Sequence, residues 1–279
     1  MLTPPSMLKA IFIDVGHGLG PTGNVDNGGS ASGTNERAEV LEIGADIFRY
    51  IQLQPSLKGV GFYMIGAPVR KMLVDHIKDV NTECQKMNWT PADCLLISLH
   101  TNIGGASRVE TWFENGNPLS QQLGQTILDA LVSITGLPNG KNNPDTANNH
   151  GRLGIVRDVT PTACLVECGF LDHPTDAAML KDPVQDDRFA IGIVKGIVKY
   201  LGLPYSEVSL DGVYPDVSYD RWSAKQISLM KERGWMTGYG DGLFRPEQAV
   251  TREELAVILT RIFPSGQVGA SIGTSGSGH

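Results

Sequence analysis

The sequence predicts an α/β fold: a mixed, largely parallel sheet with helices on both faces, plus a small helical C-terminal module. Two observations predict the sheet and a third the module. Short apolar runs rich in β-formers, near 11–15, 95–99 and 163–166, are too compact for helices and read as strands buried on both faces. Segments of helical periodicity separate them, an alternation that gives parallel strands with crossover helices. After Gly202-Leu203-Pro204 the pattern changes to two short helices around a glycine-rich turn. With 279 residues, 41% of them hydrophobic and 19% charged, the chain can bury one substantial core and carry a second, smaller unit.

The elements follow in order. Ile11 to Val15 forms the first strand, and Gly16-His17-Gly18 must leave it in a turn. Segment 19–35, rich in Gly, Asn and Ser, lacks periodicity and reads as a long functional loop. Asn35 caps a helix over 36–53, with Leu41, Ala45, Phe48 and Ile51 on its apolar face. Glu36 falls in its first turn, where the macrodipole favours a carboxylate. A second strand spans 61–65, and Pro68 is expected to open a helix to Met87 in which His76 is a packed residue. Strand 95–102 ends on His100-Thr101-Asn102. Strand 109–113, a helix over 119–134 and a Gly/Asn/Pro-rich loop over 136–154 come next, with His150 as a solvated loop residue. Strand 163–170 carries Glu167 near its end, where a carboxylate is costly unless paired or bound. An amphipathic helix over 186–201 closes this domain, short helices near 221–233 and 251–262 build the next, and the tail 264–279 reads as flexible.

Charge and composition exclude several classes. A formal net charge of -7 argues against nucleic acid and against an anionic membrane surface. No apolar run reaches membrane-spanning length. The first residues lack the basic and apolar regions of a secretion signal, so the expectation is a chain made in the cytoplasm and released by another route. The four cysteines, 84, 94, 164 and 168, lack zinc-finger spacing and read as buried reduced thiols. Cys164 and Cys168 would lie roughly 13 Å apart along a strand, too far for a disulfide.

His17, Glu36, His100 and Glu167 fall at two strand ends, a helix start and a third strand end. That is the edge at which α/β sheets bind ligands. Two imidazoles and one carboxylate with an open fourth position form a catalytic zinc set, and the remaining acid can act as general base and acid. Each residue also has an ordinary reading, as a surface histidine, a helix-start acid or a paired strand-end carboxylate. Spacing alone does not join the four.

Four ordered motifs do join them. Asp14-Val15-Gly16-His17-Gly18, Asn35-Glu36, Ser98-Leu99-His100-Thr101-Asn102 and Leu165-Val166-Glu167-Cys168-Gly169-Phe170-Leu171 resemble those of zinc-dependent N-acetylmuramoyl-L-alanine amidases, over residues 8–202. The resemblance implies cleavage of the amide between the lactyl group of N-acetylmuramic acid and L-alanine in peptidoglycan. It implies that His17, Glu36 and His100 hold zinc, that Glu167 activates water and protonates the leaving amine, and that Asn102 orients its surroundings. Arg157 matches a frequent family arginine, with substrate contact and surface charge both open. Val15 stands where members usually have proline and His173 where asparagine is frequent; neither is a ligand position.

Residues 213–263 resemble a single S-layer-homology repeat, through Tyr214-Pro215-Asp216-Val217, Trp222, Gly238 to Pro246, and Thr251-Arg252-Glu253-Glu254. This implies affinity for a secondary cell-wall polymer through Arg252 and Trp222. Glu253 replaces the usual alanine, and one repeat stands where three commonly cooperate, which points to self-association through the module. A lytic domain, a wall-binding module and no signal peptide together resemble a phage endolysin released by a holin. A spore or mother-cell lytic enzyme reads the same. The rivals are an inactive wall-binding protein on the same fold, a peptidoglycan peptidase of another class, and a thiol hydrolase pairing Cys168 with His100. Strand alternation sets Cys168 on the face opposite Glu167, against the last of these.

Overall fold

The computed structural model describes residues 8–67, 69–148, 153–182, 185–206, 214–217, 221 and 223–263. The chain divides into two compact units, Met1–Val208 and Ser209–His279. Unit 1 opens with β1 (Ala10–Val15) and four two-residue strands, β2 (Gly18–Leu19), β3 (Val25–Asp26), β4 (Ser30–Ala31) and β5 (Thr34–Asn35). Helix α1 (Glu36–Gln52), β6 (Gly61–Ile65), α2 (Leu73–Met87), β7 (Cys94–Asn102) and β8 (Val109–Phe113) follow. Then come α3 (Pro118–Thr135), β9 (Asn139–Pro144), α4 (Gly154–Arg157), β10 (Thr162–Phe170), α5 (Pro174–Lys181) and α6 (Asp187–Tyr200).

The main sheet has the order β6-β1-β7-β10-β8-β9. Its first four strands are parallel; β8 runs antiparallel to β10, and β9 runs alongside β8. The mixed, largely parallel sheet expected from the sequence is the one observed. Alternate residues of each strand feed two cores. Ile11, Ile13, Leu95, Ile97, Cys164 and Val166 face α1, α3 and α6, whereas Phe12, Leu96, Ala163 and Leu165 face α2 and α4. Asp14, His100 and Glu167 continue the second set, so the polar residues emerge on the α2 side just where the apolar core stops.

Several expectations are corrected. Helix α1 buries Val40, Ile43, Ile47, Tyr50 and Ile51, while Leu41, Ala45 and Phe48 lie outside. The helix has two adjacent apolar stripes, and the sheet takes the other one. Helix α2 starts at Leu73, because Lys71 and Met72 run extended against β2: the Leu19 N–H donates to the Lys71 carbonyl at 2.9 Å. Pro68 and His150 lie outside the described residues. Segment 19–35 folds into two small antiparallel ribbons, β2-β3 and β4-β5. The expected loop 136–154 contains β9, whose sequence Asn-Gly-Lys-Asn-Asn-Pro holds no β-former. An edge strand can be held by backbone pairing and by amides alone, and here Asn142 donates to the Gln121 carbonyl at 2.8 Å. The four cysteines are free and buried, as expected.

Unit 2 contains α7 (Ala224–Glu232) and α8 (Arg252–Ile262). Its core is small: Tyr214, Val217, Ala224 and Ile227, with Phe244 against them. Asp216 organises it, accepting the Phe244 and Arg245 N–H groups at 2.9 and 2.7 Å. Thr251 and Glu254 cap α8 reciprocally. Leu255, Val257 and Leu259 on α8 are exposed. Among the described residues, no helix is long and apolar enough to cross a membrane.

Candidate metal centre

The centre is assembled at the carboxyl edge of the parallel strands. β1 ends in the Gly16-His17-Gly18 turn, where His17 takes the left-handed conformation at φ 65°. That turn directs the imidazole over the sheet edge rather than along it. A Cβ on Gly16 would lie 2.6 Å from His100 Cε1, so only glycine lets the two histidines approach. Helix α1 lies on the opposite face and brings its first residue, Glu36, over the same edge, with the Asn35 side chain accepting from the Ala38 N–H.

Glu36 bridges the two imidazoles. Its Oε2 lies 3.0 Å from His17 Nε2, and its Oε1 lies 2.8 Å from His100 Nδ1. The Thr101 and Gly29 N–H groups donate to the same carboxylate, each at 3.1 Å. Candidate ligand atoms from His17, Glu36 and His100 all lie within 4.8 Å of one another. Burial opposes ionisation of Glu36, but its hydrogen bonds and charge pairing with His100 and His17 prevail and hold it well below the usual carboxylate range. For His100, burial opposes the charged form, and Glu36, Glu167 and Asp14 overcome it, lifting the pKa to about 9. Three groups this close, with charge held in place between them, are the donor set a divalent cation takes over from protons.

Three residues unread in the sequence support the set. Asp26 on β3 lies 3.1 Å from His17 Nδ1, fixing the ring so that Nε2 faces Glu36. Arg37, buried beside Glu36, donates to the His17 carbonyl at 2.9 Å and the Gly66 carbonyl at 2.6 Å, holding the left-handed turn from behind. Gly28 closes the front, where a Cβ would lie 2.5 Å from Glu36 Oε2 and 2.6 Å from His17 Nε2. Gly28→Ala drives a methyl against both Glu36 and His17 and is therefore expected to lower divalent-cation affinity by about tenfold, the scale of disturbing an outer-shell partner. A competition titration with a chelating dye measures it; unchanged affinity would refute the close packing. Below the centre, Asp14 accepts from Ser98 Oγ and pairs with His76 Nδ1, each at 2.6 Å. His76 is thus the packed residue the sequence suggested.

Glu167 stands beside His100 in register on β10 and opposite Glu110 on β8. Its Oε2 is closed off from water and has no hydrogen-bond partner among the described residues. Burial, with Glu36 and Glu110 nearby, outweighs the attraction of His100 and His17 and raises its pKa to about 7. A proton carrier poised near neutrality next to a candidate metal-binding set is an arrangement suited to hydrolysis. Cys168 is buried on the other face of β10, where burial pushes its thiol far up, so it is no partner for His100.

The remaining candidates separate. Asn102 lies two residues beyond His100 and donates to Glu110 Oε1 at 3.3 Å. Arg157 forks onto Asp158, with both contacts at 2.8 Å, and its other charge neighbours are Asp145 and Glu114. Glu114 follows the end of β8, which pairs with the start of β10, so Arg157 is not brought to the metal centre. In unit 2, Arg252 is exposed on the first turn of α8, and Trp222 lies outside the described residues.

Comparison with known proteins gives the family. A family model described as N-acetylmuramoyl-L-alanine amidase matches residues 11–199, and an S-layer homology domain model matches 214–256. The germination-specific N-acetylmuramoyl-L-alanine amidase of Bacillus subtilis is 25% identical over 199 residues, covering 69% of this chain and 79% of that protein. The sporulation-specific amidase of the same organism is 28% identical over 206 residues, covering 73% and 72%. A crystal structure of an N-acetylmuramoyl-L-alanine amidase from Clostridium difficile 630 aligns with a TM-score of 0.58 at 27% identity, covering 71% of this chain and 98% of that one. The catalytic domain of the CD27L endolysin shares the fold, with a TM-score of 0.53 at 20% identity, covering 68% and 97%. Matched across its catalytic unit and carrying an S-layer homology domain after it, the chain belongs to the N-acetylmuramoyl-L-alanine amidase family.

Proposed function

We propose that the chain is a zinc-dependent, cell-wall lytic enzyme that hydrolyses the amide between N-acetylmuramic acid and L-alanine in peptidoglycan. The observation that carries this reading is the convergence of His17, Glu36 and His100 beside the unpartnered Glu167 Oε2. Two histidines and a carboxylate suit zinc with one position left for water or substrate. When bound, zinc would supply Lewis acidity to the scissile carbonyl and to a water molecule. Glu167 takes the proton of the attacking water and returns it to the departing alanine nitrogen. Asp26 keeps the His17 ring oriented, and Asn102, anchored on Glu110, is an orienting residue. For Arg157 the pairing with Asp158 favours surface charge over substrate contact. Digests of purified peptidoglycan test the reading. Zinc-loaded protein should release new L-alanine amino termini without new reducing ends, and chelated protein should release neither. New reducing ends, or cuts confined to the stem peptide, would overturn it.

Residues 213–263 we read as a wall-binding module that holds a secondary cell-wall polymer through Arg252 and Trp222, with 8–202 as the catalytic domain. Exposed Leu255, Val257 and Leu259 on α8 support self-association through this module, which sedimentation would detect. A chain ending near Ser206 is expected to stay folded and hydrolyse soluble muropeptides at the parent rate, yet attack whole walls more slowly. Arg252→Ala should reproduce much of that defect, because a polymer anion loses a charge-assisted partner. Equal wall binding by both chain lengths in a pull-down removes the targeting role. For delivery we keep the endolysin reading, release from the cytoplasm by a holin. The similarity to germination- and sporulation-specific amidases favours a spore or mother-cell enzyme as the second reading. Lysis that appears only after the membrane is breached separates the first from the second.

A further inference from the structure

The centre continues outward on β8. Directly opposed residues of an antiparallel pair share a face, so Glu110 stands on the same face as Glu167. Arg108 immediately precedes β8, and its ion pair with Glu110 sets its side chain beside that residue, at the rim next to Glu167. Its position is fixed on three sides. Arg108 Nε donates to Glu110 Oε2 at 2.7 Å, and the guanidinium carbon lies 4.7 Å over the Phe170 ring. Behind it, a Cβ on Gly140 would come within 2.6 Å of Arg108 Cδ, so β9 closes on the side chain. The two Nη atoms have no hydrogen-bond or ion-pair partner among the described residues, and the side chain is 37% exposed. Nε is thus satisfied and the Nη edge is offered to solvent at the rim. Inside that rim stand Glu110 and Glu167, so on this side of the centre Arg108 is the group that can receive an anion.

We infer that Arg108 determines specificity by receiving a carboxylate of the stem peptide, on the leaving-group side of the scissile amide. The inference rests on the amidase reading above. A planar fork with two free Nη groups matches a carboxylate. The glycan side has none to give, since the carboxyl of muramic acid is itself the acyl group being cleaved. The nearest free carboxylate belongs to the residue after L-alanine, an acidic residue such as D-glutamate. A reach of one to two residues from the scissile nitrogen spans the step from Glu167 past Glu110 to Arg108.

The test uses the full zinc-loaded chain and two synthetic N-acetylmuramoyl-L-alanyl dipeptides. One ends in D-glutamate with both carboxylates free and the other in its diamide. The readout is the ratio of kcat/KM for the acid over the diamide, which a general loss of stability or zinc does not move. The parent protein is expected to favour the acid by about 10-fold, the scale of one charge-assisted hydrogen bond. Arg108→Gln should bring the ratio to about one, chiefly through KM, and Arg108→Lys should retain part of it. If Arg108→Gln fails to fold because Glu110 loses its partner, the double variant Arg108→Gln/Glu110→Gln keeps a neutral pair and should lose the preference likewise. A parent ratio near one, or an unchanged ratio in the variants, overturns the inference and leaves the amidase reading intact. Absence of lactyl–alanine cleavage in both substrates by the parent chain refutes both.

Discussion

Glu167→Gln should keep near-normal zinc and lose at least ~100-fold in activity, the lower end of what general base and acid catalysis contributes. Glutamine preserves the shape and one acceptor but cannot take a proton from water. The unpartnered Oε2 makes the substitution clean, because no hydrogen bond within the described residues depends on that oxygen. The raised pKa, about 7, lets one group both accept and donate near neutrality. A cation bound beside it would favour the ionised form and pull the value down, toward the base needed for the first step. Steady-state rates and metal analysis on the same preparation measure the effect. Cys168→Ala, by contrast, should leave turnover unchanged, since that thiol lies in the core on the other face. Retained activity in Glu167→Gln, or its loss in Cys168→Ala with normal folding and zinc, would return the reaction to thiol chemistry.

What the sequence revealed of this centre follows the strength of local signals. β1, β7 and β10 are buried on both faces, so their apolar runs stand out, and their ends locate His17, His100 and Glu167. Asn35 has a cap's chemistry and fixes the start of α1, hence Glu36. Residues that act across the fold carry no such signal. Asp26 reaches His17 from a two-residue ribbon without periodicity, and Arg37 reads as a surface charge on a helix until the turn it holds is known. The same limit explains β9 and the start of α2, each set by backbone pairing to a neighbour distant in sequence. Arg157 is open in the sequence between substrate contact and surface charge, because a motif likeness carries no position; the chain sets it near Glu114, at the end of the sheet where β10 begins.

The metal assignment makes the other large prediction. Removing one of the three proposed ligands, in His17→Ala or His100→Ala, should lower zinc affinity by at least ~100-fold, beyond the 10–100-fold typical of losing an outer-shell partner. Activity should fall with metal content. The dependence on pH follows from the protons that zinc must displace. In the metal-free chain His100 holds its proton to about pH 9, and the pKa of His17 is raised as well, against burial, by Glu36 and Asp26. Raised values stabilise the folded metal-free chain fully below ~6.5, the ordinary histidine value, and that contribution is lost as pH rises toward 9. Zinc uptake has the opposite sign. Each proton released makes affinity rise about tenfold per pH unit across the same window. Competition titrations at pH 7 and 8 should therefore differ by tenfold or more for the parent chain, and by less for His100→Ala, which has one proton fewer to displace. Full zinc occupancy in both histidine variants, or an affinity independent of pH, would sink the assignment of His17, Glu36 and His100 as ligands.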